Sequence, residues 1–412
     1  MAVTPAARTR STDRPWLGQW NSAVTSYYLV VGATGLLLLI GLVMVFSSTA
    51  VTSIAAGESP YAAGLTQARF ALIGLPVLLV AARLPVRWYK RLAWPALAVA
   101  VVLQSLTLVP ALARAQGGNV GWISLGGVTV QPAEVSKLAL AVWLGVVLGR
   151  KQHLLGSWAH AIVPAVPGAL IVLGLVIAGN DLGTMLVIAG LVAGALWVAG
   201  APWRMLALGG AAAVTAIVGL FVLGNSNRMG RILATYGECT DAEGLCYQSL
   251  HGMYGLGTGG LFGVGLGASR EKWRYLPEAH NDFIYAIIGE ELGLLGTLLV
   301  LSLFVVLGVA MARIVRRHED PFVKITTAAV ACWIVGQAFV NIGVVLGLLP
   351  VIGVPLPLVS AGGSALVTTM AALGMVISFA RSEPGAAEAL AARPSVVRRS
   401  LTVLGGARRR GR

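Results

Sequence analysis

Five of the chain's 16 acidic residues, Glu271, Glu278, Asp282, Glu290 and Glu291, fall within one stretch, EKWRYLPEAHNDFIYAIIGEELG. A run of about 25 mostly apolar residues begins at Asp282, long enough to cross a bilayer. An ionisable group at the mouth of such a run is costly and is a functional-site hypothesis by default. A carboxylate entering apolar surroundings has its pKa raised, and it serves as a general base when a nearby cation or hydrogen bond keeps it ionised. Asp282 is therefore the first candidate for chemistry. The competing reading is that Asp282, or Asn281 beside it, caps the helix that starts here.

Other side chains in this region suit supporting roles. Glu290 and Glu291 are adjacent, point about 100° apart on a helix and cannot share one role, so pairing with a cation from another span is expected. Glu278, His280 and Asp282 offer donor types that suit a divalent cation, without the spacing of a specific ligand signature. Arg228, Arg231, Arg270, Lys272 and Arg274 concentrate positive charge on the same segment. Guanidinium and ammonium groups suit diphosphate, the group a lipid-linked sugar presents at this depth, and they also suit local carboxylates or lipid head groups. The run GLGTGGLFGVGLG (255–267) lacks the strand and βαβ context of a dinucleotide fingerprint, so its glycines are expected to serve tight turns or close helix approach.

The elements that must position these residues follow from composition. The 412 residues are 57% hydrophobic and 11% charged, with a mean hydropathy of +0.81, which excludes an ordinary soluble domain. Windows of about 20 apolar residues give ten expected spans. They lie near 27–48, 67–84, 92–111, 134–149, 158–178, 182–200, 205–224, 282–311, 323–347 and 362–380. With the N-terminus cytoplasmic, 22 of the 30 Lys and Arg fall in inner segments, which favours both termini inside and an even number of spans. The net charge of +14 is then mostly a topology signal, with contacts to anionic head groups besides. The basic residues are dispersed and lack interleaved aromatics, so nucleic-acid binding is not expected.

The expected organisation is an all-α polytopic membrane protein with three parts. Residues 1–26 form a cytoplasmic tail with no cleavable signal pattern, 27–381 a ten-helix membrane domain, and 382–412 a flexible basic cytoplasmic tail. A large external loop, 225–281, joins spans seven and eight. Two further external stretches flank it. Gly117 to Lys137 leads into span four with Pro132 at a helix start and Glu134 and Lys137 on one face. Leu349 to Ser364 holds three prolines and Gly362-Gly363, and irregular backbone at this depth must be buried in protein or line a polar cavity. Asn180-Asp181 puts another charge at a membrane boundary, where Asp181 either caps span six or serves the site. Cys239 and Cys246 lie in the external loop, where oxidation is permitted, and a local disulfide is expected, with two unpaired thiols as the alternative. Cys332 reads as a packing residue inside span nine.

Taken together, Trp122 to Lys137 (WISLGGVTVQPAEVSK), Asp181 to Thr184 (DLGT), Leu276 to Gly293 (LPEAHNDFIYAIIGEELG) and Gly347 to Ser364 (GLLPVIGVPLPLVSAGGS) resemble the SEDS family (shape, elongation, division and sporulation) of peptidoglycan polymerases. The likeness runs from about Tyr27 to Arg381, and the pattern IGLVMVFSS (40–48) with the basic tails resembles its division-type branch more than the elongation-type one. The resemblance implies ten helices in the cytoplasmic membrane and a glycosyltransferase that polymerises lipid II on the outer face. It implies that Asp282 is the family's essential aspartate. It further implies that Arg228, Arg231 and Lys272 balance charge on the diphosphate, that Glu134 and Lys137 line the polar cavity, and that His280 and Ser360 meet the substrate. Implied partners are a class B penicillin-binding transpeptidase and other divisome proteins. A lipid II flippase using the same cavity, an elongation-type polymerase and a recruiting scaffold are the alternatives. The chain departs from the family's pattern at Val120-Gly121, where two arginines are frequent, at Gly179-Asn180, at Asn281 and at Ala361. The first change removes cationic candidates from that loop.

Overall fold

The computed structural model describes residues 22–116, 119–125, 128–223, 226–237, 244 and 246–391. The chain begins with α1 (Thr25–Ala55), α2 (Ala62–Arg83) and α3 (Val86–Ser105). Three short strands follow, β1 (Ala113–Gln116), β2 (Asn119–Leu125) and β3 (Val128–Val130), and then α4 (Pro132–Arg150). The middle of the chain holds α5 (Trp158–Ile162), α6 (Ala165–Ala178), α7 (Leu182–Ala199) and α8 (Trp203–Ile217). The segment expected to be an external loop folds as α9 (Ser226–Tyr236), α10 (Tyr247–Gly259) and irregular backbone. The last elements are α11 (Ile284–Arg317), α12 (Pro321–Val345), α13 (Gly363–Arg381) and α14 (Ala386–Ala391).

Among the described residues, nine helices are long and apolar enough to cross a membrane: α1, α2, α3 continued to Leu108, α4, α7, α8 continued to Leu220, α11, α12 and α13. Their bounds fall within several residues of the expected windows. The fifth expected span, 158–178, is not one helix. It breaks at Val163 and Pro164, because proline lacks the N–H that would continue the helix, and leaves the 14-residue α6. At 1.5 Å per residue α6 spans roughly 21 Å, short of a hydrocarbon core of about 30 Å.

Two further expectations are corrected. The chain is not purely helical: β1, β2 and β3 form an antiparallel sheet in that order, with Ile123 opposite Val130 and Ser124 opposite Thr129. Val, Ile and Thr favour such pleated segments, and Ile123 is fully buried. Residues 382–391 do not trail free. Glu383 is buried and pairs with Arg317, and Ala386 is buried as α14 begins, so the start of the expected tail docks on the bundle.

The bundle packs α2 on α13, α7 on α12, α1 on α11, and α4 on both α3 and α12. Helix α4 is buried on nearly every side and lies in the interior, whereas α8 leaves nearly all its apolar surface outward, as a lipid-facing helix does. Helix α11 is interrupted. Gly293 adopts φ 69° and ψ −165°, a conformation open essentially only to glycine, and splits the helix after Leu292. Carbonyls freed by the break are satisfied by another segment: Val264 N–H donates to Glu290 O at 2.9 Å and Gly265 N–H to Glu291 O at 3.1 Å. That segment reaches the break because Gly252, Gly255, Gly259 and Gly263 carry no side chain where α10 and the turn after it run beside α11; a Cβ on Gly252 would meet the Phe283 ring, and one on Gly259 the Gly289 carbonyl. Residues 247–281 thus dip alongside the first half of α11 and return to Asp282. Close helix approach, expected of this glycine run, is its role.

Candidate active site

Asp282 ends the returning segment, two residues before α11. The capping alternative does not hold. The first turn of α11 receives no side-chain cap, and the Asn281 amide is turned to Glu278 Oε2 at 3.4 Å. Asp282 is half-buried, and its Oδ1 is buried with no hydrogen-bond partner among the described residues. Burial is the main cause that pushes its pKa up to about 7; Glu278 and Asp181 add to the rise and Arg231 opposes it. A carboxyl with that value exchanges its proton near neutrality, which is what a general base needs.

The backbone leading to this carboxyl is held at three successive carbonyls. His280 O accepts from Ala361 N–H at 3.0 Å, Asn281 O from Ser360 Oγ at 2.6 Å, and Asp282 O from Asn341 Nδ2 at 2.7 Å. Ser360 Oγ also accepts from Leu356 N–H at 2.8 Å. Gln67 of α2 clamps the same loop, donating to Ser360 O at 3.3 Å and accepting from Gly362 N–H at 3.1 Å. Ser360 and His280 are therefore joined to Asp282 through the backbone, and the half-buried His280 ring stands next to it in sequence.

The other two expected external stretches converge here. Arg231 of α9 donates to Val351 O at 3.3 Å, and Arg228 to Asn180 O at 3.4 Å. β2 reaches the α6–α7 junction through Val120 N–H to Gly179 O at 2.8 Å. Asp181 caps α7, accepting from Thr184 N–H at 2.9 Å and Thr184 Oγ1 at 2.7 Å, and also from Gln131 Nε2 at 3.3 Å. Its capping role and its charge on Asp282 coexist. A Cβ at Gly353 would lie 3.4 Å from Asp282 Oδ2, so the proline-rich loop walls the carboxyl directly.

Glu134 and Lys137 lie deeper. They form a buried pair at 2.7 Å, and the Lys137 ammonium also donates to Gln337 Oε1 at 3.1 Å and stands 5.0 Å from the centre of the Trp333 ring. Glu134 and Ser360 line one small cavity of about 10 Å³, room for about one water. Lys272 differs from expectation. It is 5% exposed, and its ammonium is 2.8 Å from Glu291 and 3.2 Å from Ser47 of α1. It is an internal counter-ion rather than a cation open to diphosphate. Glu290 is likewise internal, accepting from Ser269 Oγ at 2.5 Å and Arg270 N–H at 2.8 Å. The partner of Glu291 is a loop lysine, not a cation of another span.

Among the described residues no three His, Cys, Asp or Glu side chains gather into one group, Glu278, His280 and Asp282 included. Cys246 is disulfide-bonded and Cys332 is free, while Cys239 lies outside the described residues. Sequence reasoning missed Asn341, Gln337, Gln131 and Gln67. The available signal was polar side chains inside or beside apolar spans, with Gln337 and Asn341 four apart and so on one face of α12.

A polytopic helical bundle with an irregular polar face built around one unpartnered carboxylate is the class these features define. The chain belongs to the FtsW, RodA and SpoVE family of cell cycle proteins, whose model matches residues 27–384. It is 38% identical over 387 residues to a probable peptidoglycan glycosyltransferase, FtsW, of Mycobacterium tuberculosis, covering 94% of this chain and 73% of that one. It is 34% identical to stage V sporulation protein E of Bacillus subtilis, covering 86% of this chain and 96% of the relative. Among solved structures, the rod shape determining protein RodA of Thermus thermophilus is similar, with 27% identity, a TM-score of 0.63, and 86% and 97% of the two chains covered. A chain of a peptidoglycan synthase complex that coordinates polymerization and crosslinking shares the fold, with a TM-score of 0.69 at 24% identity over 85% of this chain and 96% of that one.

Proposed function

We propose that this protein is a peptidoglycan glycosyltransferase that polymerises lipid II into glycan strands on the outer face of the cytoplasmic membrane, in the division-type role. The names of its relatives support the reaction class. The single observation that carries the mechanism is Asp282: a carboxyl with a buried, unpartnered oxygen, poised near neutrality, beside Arg231 and at the meeting point of three irregular segments.

In the reaction the acceptor sugar's 4-hydroxyl attacks the anomeric carbon of the lipid-linked donor strand. Its proton passes to the Asp282 carboxylate as the bond to the diphosphate breaks, and undecaprenyl diphosphate leaves with the electron pair. Attack from the face opposite the leaving group inverts the anomeric centre. Arg231 and Arg228 offset the negative charge that grows on the diphosphate, an electrostatic role in a site partly withdrawn from water. The α5–α6 pair counts as one crossing, which gives ten and leaves both ends of the chain cytoplasmic. A class B penicillin-binding transpeptidase is the partner that would crosslink the product, with other divisome proteins around it.

The test is to incubate the purified protein, with and without such a partner, with labelled lipid II and to separate the products by length. Glycan polymer from the parent and its loss in Asp282→Ala, by roughly 10²- to 10⁴-fold as expected for removal of a general base, support the reading. An Asp282→Ala protein that polymerises as well as the parent removes Asp282 from the mechanism. A parent that yields no polymer under any partner condition while moving lipid II between leaflets shifts the reading to a flippase.

A further inference from the structure

The group that places Asp282 sits on another helix. Asn341 of α12 is 1% exposed, and its Nδ2 donates to two carbonyl oxygens, Asp282 O and Val354 O, each at 2.7 Å. Two acceptors facing one amide fix its orientation, since a flipped amide would set Oδ1 against both carbonyls. In the orientation so fixed, Oδ1 is buried with no partner among the described residues. A buried acceptor without a donor is destabilising, so the favourable contacts of this amide are those its nitrogen makes. The carbonyls of His280 and Asn281 are held from the irregular loop at 360–361, whereas Asp282 is held from a membrane-crossing helix packed on α4, α7 and α11. The second acceptor matters as well. Val354 follows Gly353, where a Cβ would lie 3.4 Å from Asp282 Oδ2, so one amide fixes both the carboxyl's own backbone and the loop that faces it. Gln337, one turn earlier on α12, repeats the pattern at Pro355 O at 2.7 Å.

We propose that Asn341 is the positioning residue for Asp282, setting the place of its carboxyl relative to Arg231, Asp181 and Glu278. This rests on the reading of Asp282 as the base and deepens it. Asn341 touches no reacting atom, and its effect passes through the Asp282 and Val354 carbonyls alone. A displacement of about 1 Å in a catalytic group costs on the order of 10²-fold in rate.

The experiment measures turnover of labelled lipid II across the acid limb of the pH profile, per folded molecule, for the parent, Asp282→Asn, Asn341→Asp and Asn341→Ser. Asn341→Asp keeps the shape and puts an oxygen where the donating nitrogen stood. It is expected to lose at least about 10-fold in turnover, with little change in KM and with the midpoint of the acid limb displaced. Asn341→Ser withdraws the donor by one bond from both carbonyls without adding an opposed oxygen or a charge, and a loss of the same kind is expected, which keeps the test informative if the aspartate variant folds poorly. A purely structural role predicts lower thermal stability with turnover per folded molecule and acid limb unmoved, and that result overturns the proposal. If Asp282→Asn remains active, the base reading fails and this inference fails with it. If Asp282→Asn is inactive while both Asn341 variants match the parent in turnover and acid limb, only the inference on Asn341 fails.

Discussion

At the scale of single residues, Asp282 carries two opposed consequences of the same environment. Its pKa stands at about 7 in the folded protein against an ordinary value of 3.8, chiefly because burial disfavours the charge. Between those values the folded state holds a proton that the unfolded chain releases, so this residue's contribution to stability falls as pH rises from about 4 to about 7 and stays low above that. Turnover that requires the carboxylate rises over the upper end of the same window. Asp282→Asn is therefore expected to unfold at a higher temperature than the parent above about pH 7, with the advantage vanishing near pH 4, and to have lost polymerisation throughout. Thermal unfolding of the two proteins across pH checks the first part; an advantage that grows toward acid pH contradicts it. Asp282 was legible in the sequence because a carboxylate where an apolar run begins needs a reason. Asn341 and Gln337 were harder to pick out, since an amide in a span has no charge to draw notice and its value lies in which carbonyls it meets, which depends on packing across α12, the 349–364 loop and α11.

At the scale of elements, hydropathy fixed the crossing helices closely, because desolvating about 20 apolar residues is a large, local, additive effect. It was blind to strands of three to seven residues, which a long window averages away, and to the break at Gly293. The break depends on a partner: only a glycine-lined segment lying beside α11 can supply the Val264 and Gly265 N–H groups that satisfy the freed carbonyls. The same dip carries Lys272 to Glu291 and Ser47, which is why a lysine that reads as an outer-face cation is an internal one. Lys272→Met leaves the Glu291 carboxylate buried without its cation and is expected to cost about 3–5 kcal/mol, whereas Lys272→Met with Glu291→Leu restores most of that stability. Thermal unfolding of the single and double variants checks the energetics. Polymerisation checks the role: the double variant keeps turnover near the parent's, and a folded double variant that cannot polymerise would return Lys272 to the diphosphate.

At the scale of the whole molecule, the number of crossings decides which chemistry the site can reach. Among the described residues nine helices pass the length and apolarity that a bilayer demands, and an odd count would place residues 22 and 391 on opposite sides. On the proposed count the α5–α6 pair supplies the tenth crossing. Its two helices flank Pro164, and together with the connecting residues they run from Trp158 to Ala178, 21 residues and enough to cross once with an irregular joint. The joint is tolerable because it lies against protein: Ala161 and Ala165 on either side of it are fully buried, and a Cβ on Gly168 would meet the Trp143 ring of α4. On that proposal ten crossings set residues 22 and 391 on the cytoplasmic side, as the distribution of Lys and Arg favours, and Asp282 with its three converging segments on the other. Reporter proteins that are active only in the cytoplasm, fused in turn before residue 22 and after residue 391, are expected to be active at both ends, while one inserted between α5 and α7 near Asn180 is expected to be inactive. Activity at one end only makes the count odd, removes α5–α6 as a crossing, and sets Gln131 and Val120 on the face opposite Asp181 and Gly179, against the hydrogen bonds that join them.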